Sequence, residues 1–256
     1  MYIGVTVTGG SSVTLLGPNT NILDGNWHHV AVVRNGQHNM SKKNFTPFVD
    51  GVAGTAVDYT GRFSSGGYAG IGGNLYITSP SYKETGGWNG YLSQFRLKKE
   101  SMYPFLPKKQ TLTTSTSFQN GVTVTASNCQ ALACHHATIT TNGGNSGTAF
   151  TASGDPAVSN FAPLGGMKSV YFDGTGDYLT SNDSDYSATN GAFTMECWFF
   201  ISSNDGIANR GLFHLKDEDM DGTNDGNGTG FALNTAGSSE SNFKLEAMYG
   251  DGSFDT

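Results

Sequence analysis

The sequence has few charged residues and no long apolar run. Only 14% of its 256 residues are Asp, Glu, Lys or Arg, and the formal net charge is −7. Nucleic-acid binding needs a cationic surface, so this composition argues against a nucleic-acid partner. No apolar stretch approaches the roughly 20 residues that a membrane helix needs, so membrane insertion is not predicted.

Helical periodicity is almost absent as well, whereas glycine is abundant. The chain has 36 glycines and frequent Ser, Thr and Asn, which suits many short strands joined by tight turns. In residues 27–34 (WHHVAVVR) apolar side chains fall on both faces of a strand, as in the middle of a sheet. Asn35-Gly36 and Asp50-Gly51 supply turns. We therefore predict an all-β protein.

Cysteine is scarce, with three residues in the chain. Cys129, Cys134 and Cys197 cannot all pair within one molecule, and Cys197 lies in an apolar strand. Residues 129–136 (CQALACHH) gather soft ligands, but no second ligand pair follows at a zinc-site spacing. A zinc site, a disulfide and unpaired thiols all remain open, and a reducing compartment during assembly is the simplest interpretation.

Several segments resemble the strands of one known fold, in reversed order. Residues 24–34, 48–51 (FVDG) and 88–97 (WNGYLSQFRL) resemble the later strands of laminin-G-like domains, which are concanavalin-A-like jelly rolls. Residues 168–179 (KSVYFDGTGDYL) and 193–201 (FTMECWFFI) resemble the earlier strands. The resemblance implies an antiparallel β-sandwich whose two halves stand in inverted order along the chain.

This order divides the chain into three segments. Residues 1–106 form the later-strand half, 107–166 a Thr/Ser/Gly-rich connector, and 167–256 the earlier-strand half. Half a sandwich leaves an apolar face uncovered, so each half needs completion. The fold is therefore circularly permuted, or completed by a neighbouring chain, or the chain is a piece of a longer tandem array.

The connector differs in composition from both halves. No charged residue occurs between Lys109 and Asp155. Its layout is similar to a stretch between laminin-G-like repeats in virion tail or surface proteins of marine phages. Residues 122–125 and 137–140 alternate well enough to be strands, so we predict an ordered connector.

Two acidic turns are candidate metal sites. Residues 217–225 (DEDMDGTND) place oxygen ligands at alternate positions around a glycine, a pattern that favours calcium. The predicted ligands are Asp217, Asp219, Asp221, Thr223 and Asp225, and the alternative is a solvated acidic turn. Residues 173–177 (DGTGD) are interpreted as a structural hairpin whose carboxylates are also compatible with metal contact.

No catalytic pattern is found. Glycosidases on this sandwich usually carry paired carboxylates along one strand, and no such run occurs here, so we predict a protein that is not an enzyme. Exposed aromatics in polar loops can stack on sugar rings, and Tyr82, Trp88 and Tyr186 are the candidates.

These observations and the resemblance predict a virion or extracellular surface structural protein that serves attachment through carbohydrate binding. Its expected partners are a glycan or host cell surface, copies of itself and other virion proteins. The alternatives are a calcium-dependent lectin module of a secreted bacterial protein and, less favoured, a glycoside hydrolase.

Overall fold

The structure is a computed structural model of the whole chain. The residues that it describes are 3–8, 21–35, 45–56, 68–78, 81–102, 111–115, 124–186, 191–202, 210–216, 229–236 and 244–251. All structural statements below concern these residues.

Strands account for nearly all of the regular structure. They are β1 (Ile3–Thr8), β2 (His28–Arg34), β3 (Phe45–Val49), β4 (Val52–Ala53), β5 (Tyr68–Ile71), β6 (Gly73–Thr78), β7 (Ser81–Gly87), β8 (Asn89–Lys98), β9 (Cys129–Ala133), β10 (Thr151–Ser153), β11 (Ala157–Ser159), β12 (Ser169–Asp173), β13 (Tyr178–Asn182), β14 (Phe193–Ile201), β15 (Gly211–Lys216), β16 (Thr229–Ala236) and β17 (Lys244–Asp251). Two 3-10 turns, Ala126–Asn128 and Ser184–Tyr186, are the described helical elements. Neither is long and apolar enough to cross a membrane.

Two large sheets pack face to face. One has the order β11-β12-β8-β14-β2-β3-β4, with β9 also paired to β8, and the other has the order β1-β17-β16-β15-β5-β13-β10. We call them the eight-stranded and the seven-stranded sheet. The predicted β-sandwich is confirmed.

Strands from the two ends of the chain interleave in both sheets. Strand β14 lies between β2 and β8, and Met195 pairs with Val32 on one side and Leu97 on the other. In the seven-stranded sheet, β5 lies between β13 and β15. The apolar faces of both halves are thus covered within one chain.

One described pairing is not antiparallel. Strand β1 runs parallel to β17, with Ile3 opposite Leu245, whereas the other pairings of the described strands are antiparallel. We had expected two purely antiparallel sheets. Parallel neighbours require a long crossover, which the chain between β1 and β17 provides.

The main core lies between the sheets and follows the alternation of each strand. Leu92, Val170 and Phe199 point inward and are fully buried. Tyr91 and Tyr171 adjoin Leu92 and Val170 in these strands, and they lie on the opposite face of the sheet. Burial of these inward side chains stabilises the fold, by about 25 cal/mol for each Å² of apolar surface that is removed from water.

The connector covers the outer face of the eight-stranded sheet. Ala31, Val33 and Phe48 of the sheet pack there against Leu112 and Leu132, both nearly fully buried. The described part of the connector therefore packs against this sheet.

Its predicted strand at 137–140 is wrong. Thr141 donates its backbone N–H to the carbonyl of Thr138 at 3.2 Å, which forms a turn. In the connector, β9 pairs with the second half of β8 and β11 pairs with β12, so both belong to the eight-stranded sheet. Gln94 has φ +54° and separates this half of β8 from the half that pairs with β12.

Candidate functional site

An open polar groove lies on the outer face of the seven-stranded sheet, at the edge formed by β10 and β13. Its volume is about 450 Å³. Leu179 of β13 points into the core, so the alternating residues Tyr178 and Thr180 point outward into the groove. Across the ladder, Thr180 pairs with Thr151 and Tyr178 with Ser153. The surface is thus a ladder of hydroxyl groups with one half-buried aromatic ring.

An acidic triad lies at the Tyr178 end of the groove. Asp155 follows β10, Asp173 ends β12, and Asp177 precedes Tyr178 directly. Each offers a carboxylate oxygen, and these oxygens lie within 4.8 Å of one another. Three carboxylates are the kind of ligand that a hard divalent cation takes. Asp155 and Asp173 are exposed, whereas Asp177 is 1% exposed.

Asp177 also has a structural role at this corner. Its Oδ1 accepts the N–H of Asp155 at 2.8 Å and its Oδ2 accepts the N–H of Asp173 at 3.0 Å. Burial raises the pKa of Asp177 above its ordinary value, and these hydrogen bonds oppose that shift. Since both oxygens already accept backbone donors, Asp177 acts as a latch that joins the β10–β11 turn to the turn between β12 and β13.

A group of five aromatic rings, the outer aromatic cluster, lies on the outer face of the eight-stranded sheet. Its members are Trp27, Tyr91, Phe161, Tyr171 and Phe200. Tyr91 is cross-strand partner to both Tyr171 and Phe200, and its ring centroid is 4.9 Å from that of Tyr171. Phe161 packs over the group with 45% of its surface exposed. Val158, on the edge strand β11, is 37% exposed and pairs with Val170, so it lies on the opposite face of this sheet from the cluster.

A buried ionic network lies where the connector covers the same sheet. The Nε of Arg96 donates to Oε1 of Glu196 at 2.6 Å, and Nε2 of His29 is 3.2 Å from Oε2 of Glu196. All three side chains are fully buried. Burial opposes ionisation of Glu196, but Arg96 and His29 outweigh it and hold the pKa of Glu196 below its ordinary value. The sequence showed Glu196 only as a single acid on an apolar strand.

Two predicted sugar-binding aromatics are corrected by their burial. Trp88 is 1% exposed, and its ring meets that of Phe199 edge-on at 5.9 Å inside the main core. Tyr186 is fully buried, and its hydroxyl lies 3.0 Å from Oγ of Ser181 and 3.1 Å from Nδ2 of Asn142. Neither ring is accessible to a glycan, because at most 1% of either side chain is exposed and both pack in the main core.

The other predicted site residues are not tested. The side chain of Tyr82, on β7, lies outside the described residues. So does the predicted calcium loop with Asp217, Asp219, Asp221, Thr223 and Asp225. Residues 173–177 form a turn, as predicted, but not the predicted hairpin, because β12 and β13 lie in different sheets.

The three cysteines are buried and free. Burial raises the pKa of Cys129 to about 11, and the same cause raises the pKa of Cys134 and Cys197. Cys129 and Cys134, the candidates for a disulfide or a zinc site, are therefore free thiols.

Comparisons with models of protein families, with curated proteins and with solved structures found no match to this chain.

Proposed function

We propose that this protein is a non-enzymatic structural protein of a virion or extracellular surface, and that it attaches to carbohydrate through the groove on the outer face of β10 and β13. The observation that carries the proposal is the ladder of hydroxyl groups beside the ring of Tyr178. The virion assignment rests on the resemblance of residues 88–97 and 168–179 to strands of repeated phage surface domains.

The chemistry of the groove suits a sugar. A volume of about 450 Å³ lies within the range of ordinary small-ligand sites. Sugars have polar edges and apolar C–H faces. A sugar-binding site therefore combines hydroxyl groups, which bind the edges, with the face of an aromatic ring, which packs on the C–H face. Thr151, Ser153 and Thr180 supply the hydroxyls, Asn182 an amide and Tyr178 the ring. Glu196 is the single acid on the central strand β14, so this strand does not supply the paired carboxylates of a glycosidase.

A glycan array with the full chain tests this proposal. We expect one class of glycan to bind, and Tyr178→Ala to weaken binding at least tenfold because the stacking face is lost. Tyr178→Phe keeps the face and should retain most of the affinity. Tyr171→Ala, on the opposite sheet, is the matched control and should bind like the unmodified protein. Absence of binding, or loss in Tyr171→Ala with no loss in Tyr178→Ala, contradicts the groove as the site.

Calcium is the proposed cofactor, and it is tested in the same assay. The triad of Asp155, Asp173 and Asp177 adjoins the groove, so a bound cation there would lie next to the sugar. We expect a chelator to weaken glycan binding and Asp155→Asn to remove this calcium dependence. If the dependence persists in Asp155→Asn, calcium acts elsewhere, and the loop at 217–225 is then the site to test.

Self-association is a second candidate function, favoured by the outer aromatic cluster and the neighbouring edge strand. Val158 lies on β11, which ends the eight-stranded sheet, and Phe161 follows this strand; both are large apolar residues with exposed surface. An edge strand with exposed apolar side chains is a template for pairing with another chain. Sedimentation should show association of the unmodified chain, and Val158→Lys should shift it to the monomer. A monomer at all concentrations contradicts this candidate.

A further inference from the structure

One carboxylate bridges an amine and a carboxamide where the end of β8 meets the connector. Nζ of Lys98 is 2.6 Å from Oε1 of Glu100. The other carboxylate oxygen, Oε2, accepts a hydrogen bond from Nδ2 of Asn128 at 3.3 Å. The amine of Lys98 and the amide nitrogen of Asn128 are thus held on the two oxygens of the same side chain, and Cγ of Asn128 is bonded directly to that nitrogen.

The backbone fixes this arrangement from both sides. Lys98 pairs across the ladder with Cys129, the residue after Asn128. The next amide, that of Lys99, donates to the carbonyl oxygen of Asn128 at 2.8 Å. Lys98 on β8 and Asn128, the last residue of the 3-10 turn before β9, are therefore held close together by the backbone, and little further ordering is needed to bring their side chains into contact.

The environment of Lys98 suits a nucleophile. Its side chain is fully buried, and burial disfavours the charged ammonium and lowers the pKa of Lys98 below its ordinary value. Nζ also donates to the carbonyl oxygens of Thr114 at 3.0 Å and Thr125 at 3.2 Å. Two N–H bonds are thus held by carbonyls. The third N–H bond of Nζ is directed at Glu100. When Glu100 accepts this proton, the lone pair left on Nζ points towards the same carboxylate that holds the amide of Asn128.

We propose that Lys98 and Asn128 form an intramolecular isopeptide bond, with Glu100 as the proton carrier. Nζ attacks Cγ of Asn128, so the Nζ–Cγ bond forms and the Cγ–Nδ2 bond breaks. Of the three protons on the ammonium, one stays on the new amide. The other two pass through Glu100 to Nδ2, which leaves as ammonium. No oxidant, reductant or other reactant is consumed.

The bond would join β8 to the segment that covers the eight-stranded sheet. A covalent link between distant positions stabilises chiefly by restricting the unfolded chain, as a disulfide does. The three cysteines are free, so no disulfide supplies this function. This inference is independent of glycan binding, and either one can fail without the other.

Mass spectrometry of the full chain as purified tests the bond. We expect an intact mass lower than the sequence mass by one ammonia, about 17 Da. Proteolysis should then yield one branched peptide that contains both Lys98 and Asn128. An intact mass equal to the sequence mass overturns the proposal. A mass deficit with Lys98 and Asn128 in separate peptides also overturns it, because an asparagine can lose ammonia alone by forming a succinimide.

Variants assign the roles. Lys98→Arg keeps the positive charge without the amine nucleophile, and Glu100→Gln keeps the shape without the proton carrier. Both should show the full sequence mass while circular dichroism shows the same sheet content. Lys99→Arg is the matched control and should keep the mass deficit. A deficit that persists in Glu100→Gln overturns the role of Glu100.

Discussion

Arg96 and Glu196 stand one hundred positions apart in the sequence and form an ion pair between neighbouring strands, with no exposed surface on either side chain. Arg96 lies on β8 in the first half of the chain and Glu196 on β14 in the second half, where the two residues are direct cross-strand partners. The contact joins both halves of the sandwich at its centre. Arg96 also donates from Nη1 to the carbonyl of Thr113 in the connector at 2.8 Å.

Loss of one partner of this pair should be costly. Arg96→Met leaves the carboxylate of Glu196 buried beside His29 without its guanidinium. We expect the free energy of unfolding to fall by about 3–5 kcal/mol, the cost of an uncompensated buried charge. Chemical denaturation measures it. The double variant Arg96→Met, Glu196→Leu should recover part of the loss, and an Arg96→Met protein as stable as the unmodified one would contradict the burial of this pair.

The stability should also depend on the protonation of His28. Its Nδ1 lies 2.7 Å from Oδ2 of Asp50 and its Nε2 lies 3.0 Å from Oδ1 of Asp24. Burial alone would lower the pKa of His28, but the two carboxylates outweigh it and raise the pKa above 6.5. Burial likewise opposes ionisation of Asp50, and His28 with the N–H of His29 holds its pKa below 3.8.

The sign of the pH effect follows from these shifts. A raised histidine pKa contributes stability that is complete below pH 6.5 and is lost as the pH rises through the folded-state pKa. The lowered pKa of Asp50 contributes stability above pH 3.8 that is lost on acidification. The stability advantage of the unmodified protein over His28→Gln should therefore shrink above pH 6.5, measured by denaturation at several pH values. An advantage that is constant from pH 5 to 9 would contradict the pairing.

Two glycines with the same backbone angle should differ in their tolerance of alanine. Gly147 and Gly154 both have φ +71°. A Cβ at Gly147 meets nothing within 4 Å, whereas at Gly154 it would lie 2.3 Å from Oδ1 of Asp177. Gly147→Ala should cost about 1–2 kcal/mol from the left-handed backbone alone. Gly154→Ala should cost clearly more by denaturation, because it also displaces the latch. Equal costs would show that the Asp177 latch adds nothing.

Truncation of Trp198 tests whether the two halves share one core. Trp198 is 4% exposed on β14, between β2 and β8, and its ring meets His29 edge-on at 5.0 Å. Trp198→Ala should lower the free energy of unfolding by about 3–5 kcal/mol. Calorimetry should show a single transition at a lower temperature for the whole chain. Two transitions, with one of them unchanged, would mean that the halves fold separately.

The pattern of residues predicted several strands that carry the core. The predicted strand at 27–34 matches β2, and the segments 88–97 and 193–201 that resemble known strands match β8 and β14. In residues 137–140 the same alternation misled us, because local hydrogen bonds at Thr138 and Thr141 favour a turn. Alternation of apolar residues indicates that a segment can form a strand. Whether it does so depends on a neighbouring strand with a free edge to pair with.

The candidate site was less predictable. Trp88 and Tyr186 stand among Gly, Ser and Asn residues, which indicates a turn but not the direction of a side chain. Tyr178 and its hydroxyl neighbours lie in strand sequences that look ordinary, and only the pairing of β10 with β13 makes them one surface. Lys98, Glu100 and Asn128 likewise come together only because β9 pairs with the end of β8.

The sequence by itself determined the strand content, the turns and the need of each half for a covered apolar face, because these follow from local periodicity and residue type. Only the tertiary structure decided which strands became neighbours. Pairing is a long-range choice that depends on the burial of whole faces, so it alone brought Arg96 to Glu196, buried Trp88 and exposed Phe161.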